Sequence, residues 1–290
     1  MTICFTDRWL ELPGRLVAEP GTLRLREPMT ADIPDIVRRL RANEYTKPFV
    51  VDDGRSRRLH FSLDYVQSEM SLRDPDALNF AYTREMMAFL LFVPRPRHVV
   101  LVGLGGGSLT KFCYRQLPAA RITTIEIDAD VLGFATQFEV PEPDARLRLI
   151  HADAVDHFAT TEEDMDVVLI DGCDRSGICA GFRDAQFYRN IHARLRPHGV
   201  LVMNLIGPGR EIDAHLNLLA EVFAGPVLVR RMNHGGNRIA FAFRDATFRP
   251  DWIAIQRVAR RLEALYGLDF AACAARLRNC RRVAADAGDD

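Results

Sequence analysis

The run Val99-Val100-Leu101-Val102-Gly103-Leu104-Gly105-Gly106-Gly107-Ser108 decides the fold of this chain of 290 residues. It opens with apolar, mostly β-branched residues and ends with four glycines within five positions. Residues 109–116, which follow, have the pattern of a helix. A strand, a glycine turn and a helix in this order form the first unit of a nucleotide-binding α/β domain. Glycine allows a close approach of the backbone to a ligand, and the helix that follows points its N–H groups at that ligand.

The glycine turn, taken alone, leaves more than one interpretation open. No Gly-Lys-Ser or Gly-Lys-Thr follows it, so it is not a P-loop. Ser108 stands where the dinucleotide fingerprint has its third glycine. A turn that serves only tight packing is the alternative, and the residues downstream weigh against it.

Composition indicates a globular protein rather than a membrane protein or a general nucleic-acid binder. Hydrophobic residues make up 48% of the chain, charged residues 27%, and the net charge is -1. No apolar run reaches the roughly 20 residues of a membrane helix, and the N-terminus has no basic segment leading into an apolar one. The six cysteines are scattered without a C-x-x-C pair. This pattern predicts no metal site, no disulfide framework and a cytoplasmic location.

Hydrophobic periodicity predicts a Rossmann-like α/β domain from Val99 onward. Strands and helices alternate at a spacing that implies a doubly wound, mostly parallel sheet. The predicted strands are 99–103, 121–126, 146–150, 166–171 and 198–205, and the helices between them are 107–116, 129–137, 153–159 and 184–196. A last strand pair is predicted at 226–231 and 237–244, with further helices at 209–222, 250–265 and 269–280.

The segment before this domain predicts a small antiparallel β domain. Residues 48–51 have the pattern of a short strand, and residues 59–65 alternate between apolar and polar side chains as in a half-buried strand. A helix is predicted at 31–42 with Thr30 as its N-cap, and a largely apolar helix near 78–92. The chain is therefore divided into an N-terminal segment with the small β domain at 1–77, the Rossmann-like domain at 78–250, and C-terminal helices with a short disordered tail at 251–290.

Acidic residues follow the predicted strands, at the edge of a parallel sheet where ligands bind. They lie in Glu126-Ile127-Asp128, in Asp153-Ala154 and in Asp171-Gly172-Cys173-Asp174. An acid about 20 residues beyond the glycine turn can bond ribose hydroxyls, and one after strand three can receive an adenine amino group. Helix capping is the alternative for Asp128 and Asp153. The two carboxylates of the last stretch, beside a bound sulfonium, can hold a cationic amine and accept its proton.

The chain resembles the spermidine synthase (polyamine aminopropyltransferase) family over residues 48–206. The residues that carry this resemblance are Gln67, Tyr82, Glu85-Met86, the glycine turn 103–107, Glu126-Ile127-Asp128, Asp153, Asp171-x-x-Asp174, Phe187-Tyr188 and Gly199-Val200-Leu201-Val202. The resemblance implies a methyltransferase-like domain behind a small β domain, in a homodimer. It also implies decarboxylated S-adenosylmethionine as donor and a small amine, a polyamine, as acceptor.

By position, the resemblance implies a role for each candidate site residue. The donor nucleoside would be held by Gln67, by Glu126 at the ribose, by Asp153 with Ala154 at the adenine, and by the glycines Gly103, Gly105 and Gly106. Tyr82 would contact the acceptor. Asp171 would be the catalytic acid–base group, and Asp174 would be a ligand of the amine.

Two departures from the family pattern keep other interpretations open. Gly106 stands where the family has an aspartate that would hold the amine of the aminopropyl group, and this weakens the preference for a decarboxylated donor. Arg175 is unfavourable beside a polycation unless the acceptor carries an anion. A transferase that uses intact S-adenosylmethionine, for methyl or aminocarboxypropyl transfer, is the first alternative. A non-catalytic nucleoside-binding homologue is the second, and a dinucleotide-dependent dehydrogenase fits less well because of Ser108.

Overall fold

A computed structural model describes residues 8–28, 30–174, 177–233 and 235–284 of the chain. The contacts between residues divide it into two compact units, which are described separately. The first unit contains residues 1–79, 105–111 and 128–142, and the second contains residues 80–104, 112–127 and 143–290. The three-part division expected from the sequence stays a prediction, and most of the expected disordered tail lies outside the described residues.

The first unit is built on an antiparallel sheet of five strands. These are β1 Arg8–Pro13, β2 Thr22–Glu27, β3 Phe49–Asp52, β4 Ser56–Ser62 and β5 Tyr65–Ser71, and they pair in this order. Leu23 and Leu25 of β2 are buried on the same face because alternate residues of a strand point the same way. Helix α1 (Ile33–Arg41) packs Ile36 and Leu40 into this core. The expected small antiparallel sheet is confirmed.

Two local predictions in this unit are wrong. Helix α1 begins after Asp32, whose carboxylate accepts the N–H of Asp35 at 3.3 Å, and not after Thr30. The expected single strand 59–65 is the junction of two strands. Since the chain turns back between β4 and β5, Leu63 packs at the core of the unit, whereas Tyr65 is 72% exposed.

The second unit is built on a sheet of eight strands. The first four in sequence are β6 His98–Val102, β7 Arg121–Glu126, β8 Leu147–His151 and β9 Met165–Ile170. A separate pair of short strands follows, β10 Cys173–Asp174 and β11 Gly177–Ile178. The last four strands of the large sheet are β12 Leu195–Leu205, β13 Val227–Arg231, β14 Arg238–Phe243 and β15 Arg281–Val283. Their order in space is β15-β13-β14-β12-β9-β6-β7-β8. The five strands from β12 to β8 are parallel, and β14, β13 and β15 add an antiparallel edge. The mostly parallel, Rossmann-like sheet is therefore confirmed.

Helices precede or separate these strands in sequence, near the positions that the periodicity predicts. They are α2 Ala81–Met86, α3 Ser108–Gln116, α4 Ala129–Gly133, α5 Ala154–Thr160, α6 Ala185–Arg194, α7 Gly209–Phe223, α8 Trp252–Tyr266 and α9 Phe270–Arg278. The helix expected near 78–92 is shorter. Its apolar half is a buried 3₁₀ helix, Met87–Leu91, that follows α2. No helix in the described ranges is both long and apolar enough to span a membrane.

The strand order contains a switch point, the feature at which open α/β sheets bind ligands. Strand β6 pairs with β7 on one side and with β9 on the other, so the direction of winding reverses there. Ligands of open α/β sheets bind beyond the carboxyl ends of the strands at this switch point. The residues that directly follow β6 and β9 are Gly103 and Asp171.

Candidate active site

Gly103 brings the glycine turn against the end of β9. Its φ is +93°, a conformation that other residues rarely adopt. A Cβ built on Gly103 would lie 2.5 Å from the carbonyl oxygen of Asp171. In addition, the N–H of Asp171 donates to the carbonyl of Val102 at 2.9 Å. Only glycine fits at position 103 while the two backbones keep this distance.

Glu126, at the end of β7, forms a hydrogen bond with the same turn. Its Oε2 atom accepts the backbone N–H of Leu104 at 2.7 Å, and the residue is only 8% exposed. A hydrogen bond to a charged acceptor is stronger than a neutral one. The residue expected at the ribose therefore also fixes the shape of the turn.

Gly105 and Gly106 pack against β5 within the first unit. A Cβ on Gly106 would lie 2.6 Å from Oγ of Ser68 and 3.0 Å from Cδ1 of Phe138. Gly105 has a φ of +52° and more room, since its Cβ would meet Ser68 only at 3.7 Å. Gln67, next to Ser68 on β5, is half-buried. Position 106 therefore has no room for a side chain unless Ser68 and Phe138 move.

Asp128 and Asp153 are helix N-caps, as their alternative interpretation proposed. Oδ1 of Asp153 accepts the N–H of Val155 at 2.8 Å at the start of α5. Oδ1 of Asp128 accepts the N–H groups of Asp130 and Val131 at the start of α4. The capping role does not decide whether Asp153 also contacts a nucleoside, because a carboxylate has several acceptor positions.

Asp171 is held at the end of β9 by two side chains from distant parts of the sequence. Oη of Tyr82, on α2, donates to its Oδ2 at 3.1 Å. Nδ2 of Asn204, on β12, donates to its Oδ1 at 2.8 Å. Burial raises the pKa of the Asp171 carboxyl above its ordinary value, and the two hydrogen bonds oppose this rise by favouring the charged form. The structure thus brings Tyr82 and Asp171 into direct contact, and their roles at the acceptor and in proton transfer stay predictions.

A second buried amide supports this arrangement. Oδ1 of Asn204 accepts a hydrogen bond from Nδ2 of Asn237 at 2.9 Å. Asn204 is 2% exposed and Asn237 is 6% exposed. Asn237 lies at the end of the turn between β13 and β14, so this turn is connected to Asp171 through one intervening side chain.

Asp174 and Arg175 cannot be placed in this geometry. The backbone of Asp174 pairs with Gly177 in the short β10–β11 ladder. The side chain of Asp174, and the whole of Arg175, lie outside the described parts of the structure. The role of Asp174 as an amine ligand stays a prediction.

Glu85 anchors helix α2, which carries Tyr82. Its carboxylate is 4% exposed and lies 3.0 Å from Nη2 of Arg276 and 3.6 Å from Nε of Arg230. The thiol of Cys273 donates to the same carboxylate at 3.3 Å. A buried carboxylate needs such partners, because an unpaired buried charge is strongly destabilising. The cluster ties α2 to α9 and β13 within the second unit.

Sequence reasoning missed Asn204, Asn237 and Ser68. Asn204 could have been found, because it follows the apolar run of β12 just as Asp171 follows that of β9. Asn237 and Ser68 gave no such signal, since a single polar residue in a turn or on a half-buried strand is common. Within the described ranges, no group of three His, Cys, Asp or Glu side chains is arranged to hold a metal ion.

Comparison with known proteins gives consistent matches. The spermine/spermidine synthase domain matches residues 79–212. The chain is 31% identical to the polyamine aminopropyltransferase of Chromobacterium violaceum over 237 residues, which is 81% of this chain and 91% of that protein. The fold is similar to that of the spermidine synthase of Thermotoga maritima, with a TM-score of 0.54 at 15% identity, over 92% of this chain and 98% of that one.

A methyltransferase is also similar in structure. Human methyltransferase-like protein 13, in complex with SAH, matches with a TM-score of 0.59 at 25% identity, over 72% of this chain and 97% of that one. The fold and these matches define a Rossmann-like transferase. More narrowly, the chain belongs to the polyamine aminopropyltransferase family, also called the spermine/spermidine synthase family.

Proposed function

We propose that the protein transfers an aminopropyl group from decarboxylated S-adenosylmethionine to a small amine. The observation that carries this proposal is the setting of Asp171 at the switch point of the sheet. Among the described residues, Tyr82 donates to one of its carboxylate oxygens and Asn204 donates to the other. An ionised carboxylate has about four acceptor positions, so each oxygen keeps capacity for a further contact.

The proposed chemistry needs one proton acceptor and accurate positioning. The nitrogen of the acceptor amine attacks the carbon next to the sulfonium sulfur, the carbon–sulfur bond breaks, and the proton of the amine passes to Asp171. Burial raises the pKa of the Asp171 carboxyl above its ordinary value, and a higher pKa makes a carboxylate a stronger proton acceptor. Alignment of the two substrates would supply most of the rate enhancement.

The remaining site residues have proposed binding roles. Gln67 and the glycines Gly103, Gly105 and Gly106 would hold the donor nucleoside, with Glu126 at the ribose and with Asp153 and Ala154 at the adenine. Tyr82 and Asp174 would orient the amine. The lack of side chains on these glycines supports a bound nucleoside, because backbone N–H groups there can approach a ligand without intervening side chains. A homodimer and a cytoplasmic location belong to the same proposal.

A second candidate is a transferase that uses intact S-adenosylmethionine. The observation that favours it is the packing of Ser68 and Phe138 against Gly106, which leaves the turn without a carboxylate at the position discussed above. Intact S-adenosylmethionine carries a carboxylate beside its amine, and a carboxylate on the protein would repel it. The likeness to a methyltransferase that was solved with SAH supports the same candidate.

Calorimetric titration with each donor, followed by a screen of small amines for product, separates the two candidates. Binding of decarboxylated S-adenosylmethionine in preference to the intact form supports aminopropyl transfer. Preference for the intact donor refutes it in favour of the second candidate. Binding of neither leaves a non-catalytic homologue.

The variant Asp171→Asn tests the assigned base. It is expected to lower kcat by about 10²- to 10⁴-fold with donor binding unchanged, because the proton acceptor is lost. Asp184→Asn is the matched control, since Asp184 caps α6 through the N–H of Gln186 and asparagine caps equally well. Full turnover in Asp171→Asn would show that this residue is not the base.

A further inference from the structure

A line of side-chain amides leads from the β13–β14 turn to Asp171. Asn237 donates to Asn204, and Asn204 donates to Oδ1 of Asp171, at 2.9 Å and 2.8 Å. The three residues come from the end of β9, from β12 and from the turn before β14. The two asparagines are almost completely buried, so water does not compete freely for these hydrogen bonds.

The direction of the Asn204 amide matters, because an ionised carboxylate can only accept hydrogen bonds. An asparagine side chain has a donor end and an acceptor end of nearly equal shape, and a half-turn of the amide exchanges them. With its NH₂ group toward Asp171, Asn204 stabilises the charged carboxylate. With its oxygen there, it would repel that charge and favour the protonated acid.

Asn237 determines which end of Asn204 faces Asp171. The Nδ2 group of Asn237 donates to the oxygen of Asn204, and this contact holds that oxygen away from the carboxylate. If the donor at position 237 were removed, the Asn204 amide could turn. The charged form of the Asp171 carboxylate would then lose part of its stabilisation.

We propose that Asn237 is a positioning residue which, through Asn204, keeps the Asp171 carboxylate oriented to accept a proton. The catalytic meaning of this role rests on the function proposed above. The other neighbours of Asp171 act independently of this line. Tyr82, from α2, is the titratable side chain in described contact with Asp171, and it binds the opposite oxygen. Gly103, after β6, faces Asp171 with its backbone alone.

The experiment measures the protonation of Asp171 directly. NMR titration of the carboxyl carbon of Asp171, assigned by its absence in Asp171→Asn, gives its pKa without any substrate. Asn237→Ala is expected to raise that pKa by about one to two units, the size expected for a weakened hydrogen bond to a charged group. If the transfer reaction is also followed, the acid limb of kcat moves to higher pH by the same amount, and the high-pH plateau stays close to its original value.

Two controls make the result specific. Asn233→Ala, the same truncation at an exposed position of the same turn, is expected to leave the pKa of Asp171 unchanged. In an Asn204→Ala background, Asn237→Ala is expected to add no further shift, because residues that act through one another are not additive. Asn237→Val removes the donor, adds no charge and leaves a smaller cavity than alanine, so it provides the same test if the alanine variant does not fold.

The outcomes separate the proposal from the function on which it rests. An unchanged pKa of Asp171 in Asn237→Ala and Asn237→Val overturns the proposal, as does an equal further shift in the Asn204→Ala background. A uniform loss of kcat at every pH with the pKa unchanged also overturns it, because that result indicates a structural role. A raised pKa in a protein that transfers no aminopropyl group confirms the positioning role and refutes the proposed function.

Discussion

Replacement of Gly103 by alanine tests the close approach between the glycine turn and the end of β9. Two terms contribute to the loss of stability. A side chain at positive φ costs about 1–2 kcal/mol. The new Cβ would lie 2.5 Å from the carbonyl oxygen of Asp171, whereas ordinary contacts begin at 3.4 Å. Relief of such overpacking costs about 1–3 kcal/mol more, so Gly103→Ala is expected to lose about 2–5 kcal/mol of unfolding free energy.

Gly267→Ala is the matched control. Gly267 ends α8 with a φ of +67°, and a Cβ there would meet nothing within 4 Å. Gly267→Ala is therefore expected to lose only the cost of a side chain at positive φ, about 1–2 kcal/mol of unfolding free energy. Urea unfolding of both variants, followed by circular dichroism, isolates the contact with Asp171 as the difference between them. Equal losses in the two variants would refute the close packing of the turn against β9.

Two further predictions concern the donor site and the core. Gly106→Asp combined with Ser68→Gly, which removes the closest clash of the new side chain, is expected to shift relative affinity about tenfold toward decarboxylated S-adenosylmethionine. The new carboxylate can pair with the ammonium group of either donor, but it repels the carboxylate that only the intact donor carries. Titration calorimetry with both donors measures the ratio, and a ratio equal to that of Ser68→Gly alone would contradict the role of position 106. Burial lowers the pKa of His215 from 6.5 to about 4, so the unfolded state binds a proton that the folded state does not. Stability is therefore expected to fall as pH drops below 6.5, by about 2 kcal/mol between pH 7 and pH 5. Urea unfolding at pH 7 and pH 5 should show this loss of stability in the original protein but not in His215→Gln. The same pH dependence of stability in the two proteins would contradict the assignment to His215.

Much of the second unit could be predicted from periodicity, because its central strands are short apolar runs separated by helices. The strand predicted at 121–126 matches β7 residue for residue, and those that became β6, β8 and β9 differ by one residue at each end. Strand β15 was missed. Its three residues include two arginines, and it exists only because β13 offers a free edge for pairing.

The first unit was harder to predict, although part of its signal was present. Leu23 and Leu25 alternate with arginines in β2, a pattern typical of a half-buried strand, although no strand was predicted there. The junction of β4 and β5 could not be located from alternation, because Leu63 packs at the core from within a turn. Burial of a residue in a loop has the same sequence signature as burial of a residue in a strand.

The candidate site was also only partly predictable from the sequence. Gly103, Glu126 and Asp171 were found from local order alone, because chain direction puts the ends of parallel strands at one edge of the sheet. The partners of Asp171 depended on the folded chain. Tyr82, Asn204 and Asn237 come from a helix, a strand and a turn that are distant in sequence, and each bond requires those elements to be packed to within a few tenths of an ångström. The local sequence therefore determines which chemical groups lie at the carboxyl-end edge of the sheet. Tertiary packing determines which of them are hydrogen-bonded to one another.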